Sequence, residues 1–138
     1  MIDQLIEFQT AKLAKEKSFN EVCIDIFSDT GIAQYRYNLD IDNIKSMRKL
    51  KEEFETTNSD LEQVAKDCKI IPYIARPSQS LLQRWLREVH NIHVWCIPNT
   101  NPTECNGYIC FANGHYAKND IYESALEEGL KVGLNLIP

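Results

Sequence analysis

The sequence predicts an α+β fold, in which antiparallel hairpins form one sheet or two small ones and helices pack mainly on one face. Two observations support this prediction. Pairs of segments alternate between apolar and polar residues on either side of turn signals, and the segments between them place apolar residues at helical spacing. The regular strand-helix-strand alternation of a doubly wound sheet does not occur. The predicted order is α-β-β-α-α-(β)-α-β-β-(β)-α, with the weaker strands in brackets.

The N-terminal half is predicted to contain one hairpin between helices. Residues 22, 24 and 26 fall on one face of a strand, and the turn signal Ser28-Asp29-Thr30-Gly31 follows it. Pro72 interrupts a later apolar run, which suits an edge strand. The predicted elements are a helix over 3–17, strands over 21–27 and 32–38, helices over 40–55 and 59–67, and a strand over 70–74.

The C-terminal half contains the clearest pattern of the chain. A helix with a core face from Leu81 to Val89 ends at Asn91, a residue type that tolerates the left-handed C-cap conformation. Asn113-Gly114 is a strong two-residue hairpin signal, and Asp120 is a candidate N-cap for the last helix. The predicted elements are a helix over 77–90, strands over 92–97 and 107–112, a weaker strand around 116, and a helix over 120–136.

Size and composition indicate one globular domain spanning 1–138, with a possible subdivision near 56–60. The chain has 138 residues, of which 43% are hydrophobic and 25% charged, and these are ordinary values for a globular protein. The first residues lack the apolar core of a signal peptide, so we expect a cytoplasmic protein. The five cysteines are odd in number and irregularly spaced, which favours free thiols.

A candidate ligand site lies in the helix-strand segment over 75–95. The net charge of the chain is −5, which argues against a duplex-binding protein, but this segment has three arginines and one acid. Arg84 and Arg87 are predicted to share a helix face, and strand alternation places His93 beside Trp95. An arginine pair with an aromatic surface can hold phosphates and stack bases. The candidate ligand-binding residues are Arg76, Ser78, Gln79, Arg84, Arg87, His93 and Trp95.

Ser78 and Gln79 enter this set because they open the helix, where backbone N–H groups and the helix dipole favour an anion. The alternative is that the arginines lie on a solvated helix face and that Trp95 belongs to the core. Gly129 and Gly133 form a smooth strip on the last helix, suited either to internal packing or to a homodimer contact. Glu127 and Glu128, on the same helix, are expected to face solvent.

Catalytic and metal-binding patterns are weak. The spacings of the histidines and cysteines fit a zinc site only in part. No nucleophile elbow and no phosphate-binding glycine loop occurs in the sequence. We therefore expect no metal and no cofactor, and the pattern favours a protein without catalysis over an enzyme.

Two segments resemble a set of small uncharacterised phage and prophage proteins of Bacteroidetes. They are PSQSLLQRWLREVHNIHV, residues 77–94, and IYESALEEGLKVGLNLI, residues 121–137; the chain departs from the pattern at Ser124, where a glutamate is usual. The resemblance implies a viral accessory protein in the cytoplasm of an infected bacterial host. Some such proteins sequester nucleotide signals of bacterial immunity.

The leading hypothesis is therefore a counter-defence protein that binds a small anionic, nucleotide-like signal without catalysis. In this hypothesis Arg84 and Arg87 hold phosphate, while His93 and Trp95 form a polar and stacking wall. The alternatives are a protein-interaction module, acting as an inhibitor or adaptor of a host protein and dimeric, and a nucleotide-processing enzyme. No membrane partner is expected.

Overall fold

The computed structural model describes residues 4–35, 55–101 and 107–138, and within them it shows the predicted α+β fold. The helices are α1 (Phe8–Glu16), α2 (Asn58–Cys68), α3 (Gln79–His90) and α4 (Tyr122–Asn135). The strands are β1 (Asp25–Phe27), β2 (Ala33–Tyr35), β3 (Ile74–Ala75), β4 (Val94–Pro98), β5 (Tyr108–Ala112) and β6 (His115–Asn119). The predicted helix over 40–55 lies almost entirely outside the described residues.

Two three-stranded antiparallel sheets form the β structure. In the first, β1 is central between β2 and β3, and in the second the order is β4-β5-β6. The Asn113-Gly114 turn joins β5 to β6 as predicted, with both residues at positive φ, 47° and 94°. These are the left-handed conformations that a tight two-residue hairpin requires.

The helix α3 also follows its pattern closely. Ser78 is its N-cap and accepts a hydrogen bond from the Leu81 amide, while Asn91 ends it in the left-handed conformation with φ 54°. Leu82, Trp85 and Leu86 are buried. Val89 was expected on the core face but is 58% exposed, because the helix turns that side to solvent in its last turn.

The N-terminal segment differs from the prediction. Residues 4–7 precede α1, with Glu7 in an extended conformation, and Leu5 forms a β-bridge with Ser78. The Ile6 amide donates to the Pro77 carbonyl at 3.1 Å, and the Gln79 amide donates to the Gln4 carbonyl at 2.7 Å. This pairing satisfies backbone groups at the start of α3, and it explains why α1 begins five residues later than its apolar pattern suggests.

A cluster of buried hydrophobic side chains joins the elements, with members from Ile6 to Ile137. The cluster takes residues from both sides of the proposed division near 56–60. Helix α4 packs across one face of the β4-β5-β6 sheet, where Val94, Cys110 and Ala112 are buried. In the part of the chain that the structure describes, no helix combines the length and the apolar character needed to cross a membrane.

Candidate functional site

The seven predicted site residues lie in four places rather than one. Arg76, Ser78 and Arg84 line a cleft of ≈ 490 Å³ between the start of α3 and the segment leading into β1. Gln79 is inside the core, with 2% of its surface exposed. His93 and Trp95 lie on the β4-β5-β6 sheet, and Arg87 is exposed on α3.

Gln79 is a structural residue in this arrangement. Its side-chain amide donates to the Glu123 carbonyl at 2.9 Å and to Glu127 Oε1 at 3.2 Å. Its backbone N–H donates a hydrogen bond to the Gln4 carbonyl, and the Leu81 amide donates one to Ser78 Oγ. The start of α3 therefore directs these donors to the chain itself, because the extended N-terminal segment occupies the place where an anion was expected.

The cleft is a poor site for an anion. Arg76 is held within the chain, since its Nε donates to the Ile6 carbonyl at 2.8 Å and its guanidinium lies 4.5 Å from the centre of the Phe27 ring. Burial raises the pKa of Asp25, and the Arg76 charge opposes that rise. Three acids face the two arginines across the cleft: Glu21, Asp25 and Glu55.

Cys23 also lines the cleft but is a poor nucleophile. It is buried, and burial, followed by the charges of Asp25 and Glu21, raises the pKa of its thiol to about 12. At pH 8 its thiolate population is then about a thousandfold below that of an ordinary exposed cysteine. We expect iodoacetamide to label the exposed Cys68 in the native chain and to spare Cys23, as peptide mapping by mass spectrometry will show. Rapid native labelling of Cys23 would contradict its placement, and unfolded chain should label at both positions.

The outer face of the β4-β5-β6 sheet is the most distinctive exposed surface of the described residues. We use this name for the face opposite α4, which carries Trp95, Ile97, Ile109, Phe111, Tyr116 and Lys118. Trp95, Phe111 and Tyr116 are cross-strand neighbours and form one row. Trp95 is 45% exposed and Tyr116 62%, so the row presents aromatic surface to solvent.

The aromatic row has a defined internal geometry. The Trp95 and Phe111 rings are stacked, with centroids 5.2 Å apart and planes 20° from parallel. Phe111 and Tyr116 are 6.5 Å apart and tilted by 52°. Because the pair at positions 95 and 111 is already ordered by stacking, a planar ligand would bind without first fixing these side chains.

The two elements that border this row, β6 and α3, each carry basic residues. Lys118 Nζ lies 5.7 Å from the centre of the Tyr116 ring, on the β6 side. On the β4 side, the Gln83 side chain donates to the Val94 carbonyl, and Arg87 is one turn further along the same face of α3. The strands β4, β5 and β6 contain no aspartate or glutamate, although the chain as a whole is acidic.

His93 extends the outer face at its β4 end. Its backbone amide donates to Asn113 Oδ1 at 2.9 Å, and its ring lies 3.2 Å from Asn91 Oδ1. His93 and Trp95 are both exposed while Val94 between them is buried, as strand alternation predicted. The alternative in which Trp95 belongs to the core is wrong.

Phe111, Tyr116 and Lys118 were missed as site residues. A signal for them is present in the sequence, because a two-residue Asn-Gly turn fixes the register of its flanking strands. It pairs position 112 with 115, and therefore 111 with 116 and 109 with 118, as observed. To lie beside Trp95, these residues also need β4 to pair with β5. The segment between β4 and β5 is longer than a two-residue turn, so its sequence does not fix the register of that pairing.

No protein-family model matches this chain, and no curated protein and no solved structure shows significant similarity to it. The described residues also contain no group of three or more His, Cys, Asp or Glu side chains placed to hold a metal ion.

Proposed function

We propose that the protein binds and sequesters a small anionic, nucleotide-like molecule on the outer face, without transforming it. The observation that carries this proposal is the exposed row of Trp95, Phe111 and Tyr116 on three strands free of acidic residues. A base stacks on such rings with little sequence preference, and each stacked base contributes about 1–3 kcal/mol.

The basic side chains near the row favour a ligand that carries negative charge. In this proposal, Arg87 on the helix that borders β4 and Lys118 on β6 meet phosphate groups of the stacked ligand. An arginine forms paired hydrogen bonds with phosphate oxygens, and a lysine supplies a point charge. We assign the phosphate contact to Arg87 rather than to Arg84, because Arg84 faces a cleft that also contains three acids.

The absence of a proton-transfer pair on the outer face supports binding without catalysis. Its described side chains include no carboxylate and no thiol, and His93 and Lys118 approach it from opposite ends. General acid-base chemistry needs groups within hydrogen-bond reach of one reacting atom. In a phage setting, such a protein would act by lowering the free concentration of a nucleotide signal.

The test is a titration of the purified chain with ATP and with a cyclic dinucleotide, followed by tryptophan fluorescence and calorimetry. Trp85 is 5% exposed and Trp95 45%, so quenching on binding reports mainly on Trp95. We expect Trp95→Ala to weaken binding between about 5-fold and 150-fold, the equivalent of one stacked base. Arg87→Ala should weaken it about tenfold through the lost charged hydrogen bond.

Arg84→Ala is the matched control, since it removes the same charge three residues away on the same helix. We expect it to leave affinity unchanged, and an equal loss in both arginine variants would contradict the placement of phosphate beside β4. Ligand recovered chemically unchanged after incubation agrees with sequestration, whereas turnover contradicts it. If neither probe binds, the nucleotide proposal fails.

A second candidate function, protein interaction, is favoured by the aliphatic part of the same surface. Ile97 is 43% exposed beside the aromatic row, and exposed Trp, Tyr and Ile side chains together resemble the centre of a protein interface. If the outer face packs against a second copy, sedimentation will show a concentration-dependent dimer that Ile97→Lys abolishes. A monomer at all concentrations would contradict this form of the interaction.

A further inference from the structure

Cys96 and Cys110 lie directly opposite each other on β4 and β5. Both are on the inner face of the sheet, beneath α4, and so they are separate from the outer face. Neither is used by the proposed function. The cross-strand pairing places the two side chains side by side, where a thiol-thiol hydrogen bond shifts both pKa values.

The register of the two strands suits a disulfide at this position. The Asn113 amide donates to the His93 carbonyl at 3.2 Å, so these two residues form a hydrogen-bonded pair. Hydrogen-bonded and non-hydrogen-bonded pairs alternate along antiparallel strands. Cys96, three residues after His93, therefore faces Cys110 in a non-hydrogen-bonded pair, where Cα atoms are about 4.5 Å apart. A disulfide needs about 4.4–6.8 Å between Cα atoms.

The two thiols differ in access. Cys110 is fully buried, and a Cβ added to Gly129 would lie 3.0 Å from the Cys110 Cβ, so α4 covers it directly. Cys96 is partly exposed. The hydrogen bond from Cys110 lowers the pKa of the Cys96 thiol, while the same bond and burial raise the pKa of Cys110. Cys96 is thus the thiol that an outside reagent reaches first.

We propose that Cys96 and Cys110 form a reversible redox pair that small disulfides such as glutathione disulfide oxidise. The Cys96 thiolate attacks one sulfur of glutathione disulfide, forming a mixed disulfide and releasing one glutathione thiolate. Cys110 then attacks the Cys96 sulfur, closing the bridge and releasing the second glutathione. The protons of the two protein thiols pass to the two glutathione thiolates, so one disulfide is exchanged for another.

The bridge would fix β4 to β5 immediately behind the aromatic row. Trp95 and Phe111 are the adjacent pair in the same register, on the opposite face of the sheet. Oxidation would therefore tie together the two strands that carry the stacked rings. The redox pair does not depend on the proposed ligand, and its test is independent of the ligand titration.

The test uses the folded, reduced chain with Cys68→Ser, which removes the exposed thiol. After incubation with glutathione disulfide, free thiols are blocked with iodoacetamide, and the chain is digested by cleavage after Glu104 and Tyr108 to separate the three nearby cysteines. We expect a fragment pair joining Cys96 to Cys110, lighter by about 2 Da than its reduced form and released by dithiothreitol.

Two variants separate the steps. Cys110→Ala should accumulate glutathione on Cys96, because the resolving thiol is gone, and Cys105→Ser should still form the bridge. A bridge to Cys105, a mixed disulfide at Cys96 that persists with Cys110 present, or full alkylation of both thiols would each overturn the proposal. Mapping on the chain with Cys110 intact does not depend on how well Cys110→Ala folds.

Discussion

Gly129→Ala should lower the free energy of unfolding by about 2 kcal/mol, although alanine is the better helix former by about 1 kcal/mol. The added methyl group would overlap the Cys110 Sγ and lie 3.0 Å from its Cβ and 3.3 Å from Val94 Cγ1. These groups belong to strands β4 and β5, which their neighbours hold in place. Helix α4 must therefore move away from the sheet, and packing in the core is lost.

Gly133→Ala is the matched control, one turn further along α4. Its methyl group would meet Val94 Cγ2 at 3.1 Å and Leu86 Cδ1 at 3.3 Å, which are the ends of side chains. A small rotation relieves such contacts, and the gain in helix propensity offsets the cost, so we expect a change within about 1 kcal/mol. Denaturant unfolding of the two variants gives both values.

The clash at Gly129 can be tested further by removing its partner. In the double variant Gly129→Ala with Cys110→Ala, the sulfur is absent, and the combined loss should be smaller than the sum of the single losses. Equal destabilisation by the two glycine variants, or strict additivity in the double variant, would contradict the close approach of α4 to Cys110.

The glycine strip, Gly129 and Gly133, illustrates what a local sequence pattern can predict and what it cannot. Two glycines one turn apart in a helix predict that another backbone or side chain packs closely against it. The sequence does not identify which part of the chain, or which second molecule, that partner is. The structure places Val94, Leu86 and Cys110 against them, so the strip is used inside the chain and does not support a homodimer contact. Whether the strip packs internally or against a second copy depends on which face of the sheet α4 covers, and tertiary contacts determine that face.

Elements with their own local signals were predicted well. The Asn113-Gly114 turn and the Asn91 C-cap each need a left-handed conformation that few residues accept, and both lie where the sequence placed them. Asp120 was predicted to cap α4, but Ile121 holds that position and no side chain caps the helix. Instead, Asn119 Oδ1 accepts a hydrogen bond from the Ile121 amide at 3.1 Å.

The candidate site was predictable only in part. Alternation along β4 correctly placed His93 and Trp95 together, because it depends on neighbouring residues alone. Grouping them with Ser78 and Gln79 assumed that the start of α3 was open. Whether the N-terminal segment pairs there, through Gln4, is decided by contacts more than seventy residues apart.

Glu127 is the acid whose environment departs most from the sequence-based expectation. It was expected to face solvent with Glu128 but is 2% exposed. Its Oε2 accepts from the Glu7 amide at 3.2 Å, and its Oε1 accepts from Gln79 at 3.2 Å. Glu7 and Gln79 mark the starts of α1 and α3, where the helix dipoles favour negative charge. The carboxylate thus joins three helices at one buried point.

Glu127→Leu should therefore lower the free energy of unfolding by about 2–6 kcal/mol, because two donors lose their acceptor at a cost of about 1–3 kcal/mol each. Glu127→Gln keeps the shape and one acceptor oxygen, so its loss should be smaller. Glu128→Ala, the matched control, removes an exposed acid that lies 3.3 Å from Lys131 and should cost less than about 1 kcal/mol. Denaturant unfolding of the three variants measures these differences. Similar small losses at positions 127 and 128 would mean that the carboxylate does not anchor α1 and α3, and the packing of α4 alone would then have to hold these helices together.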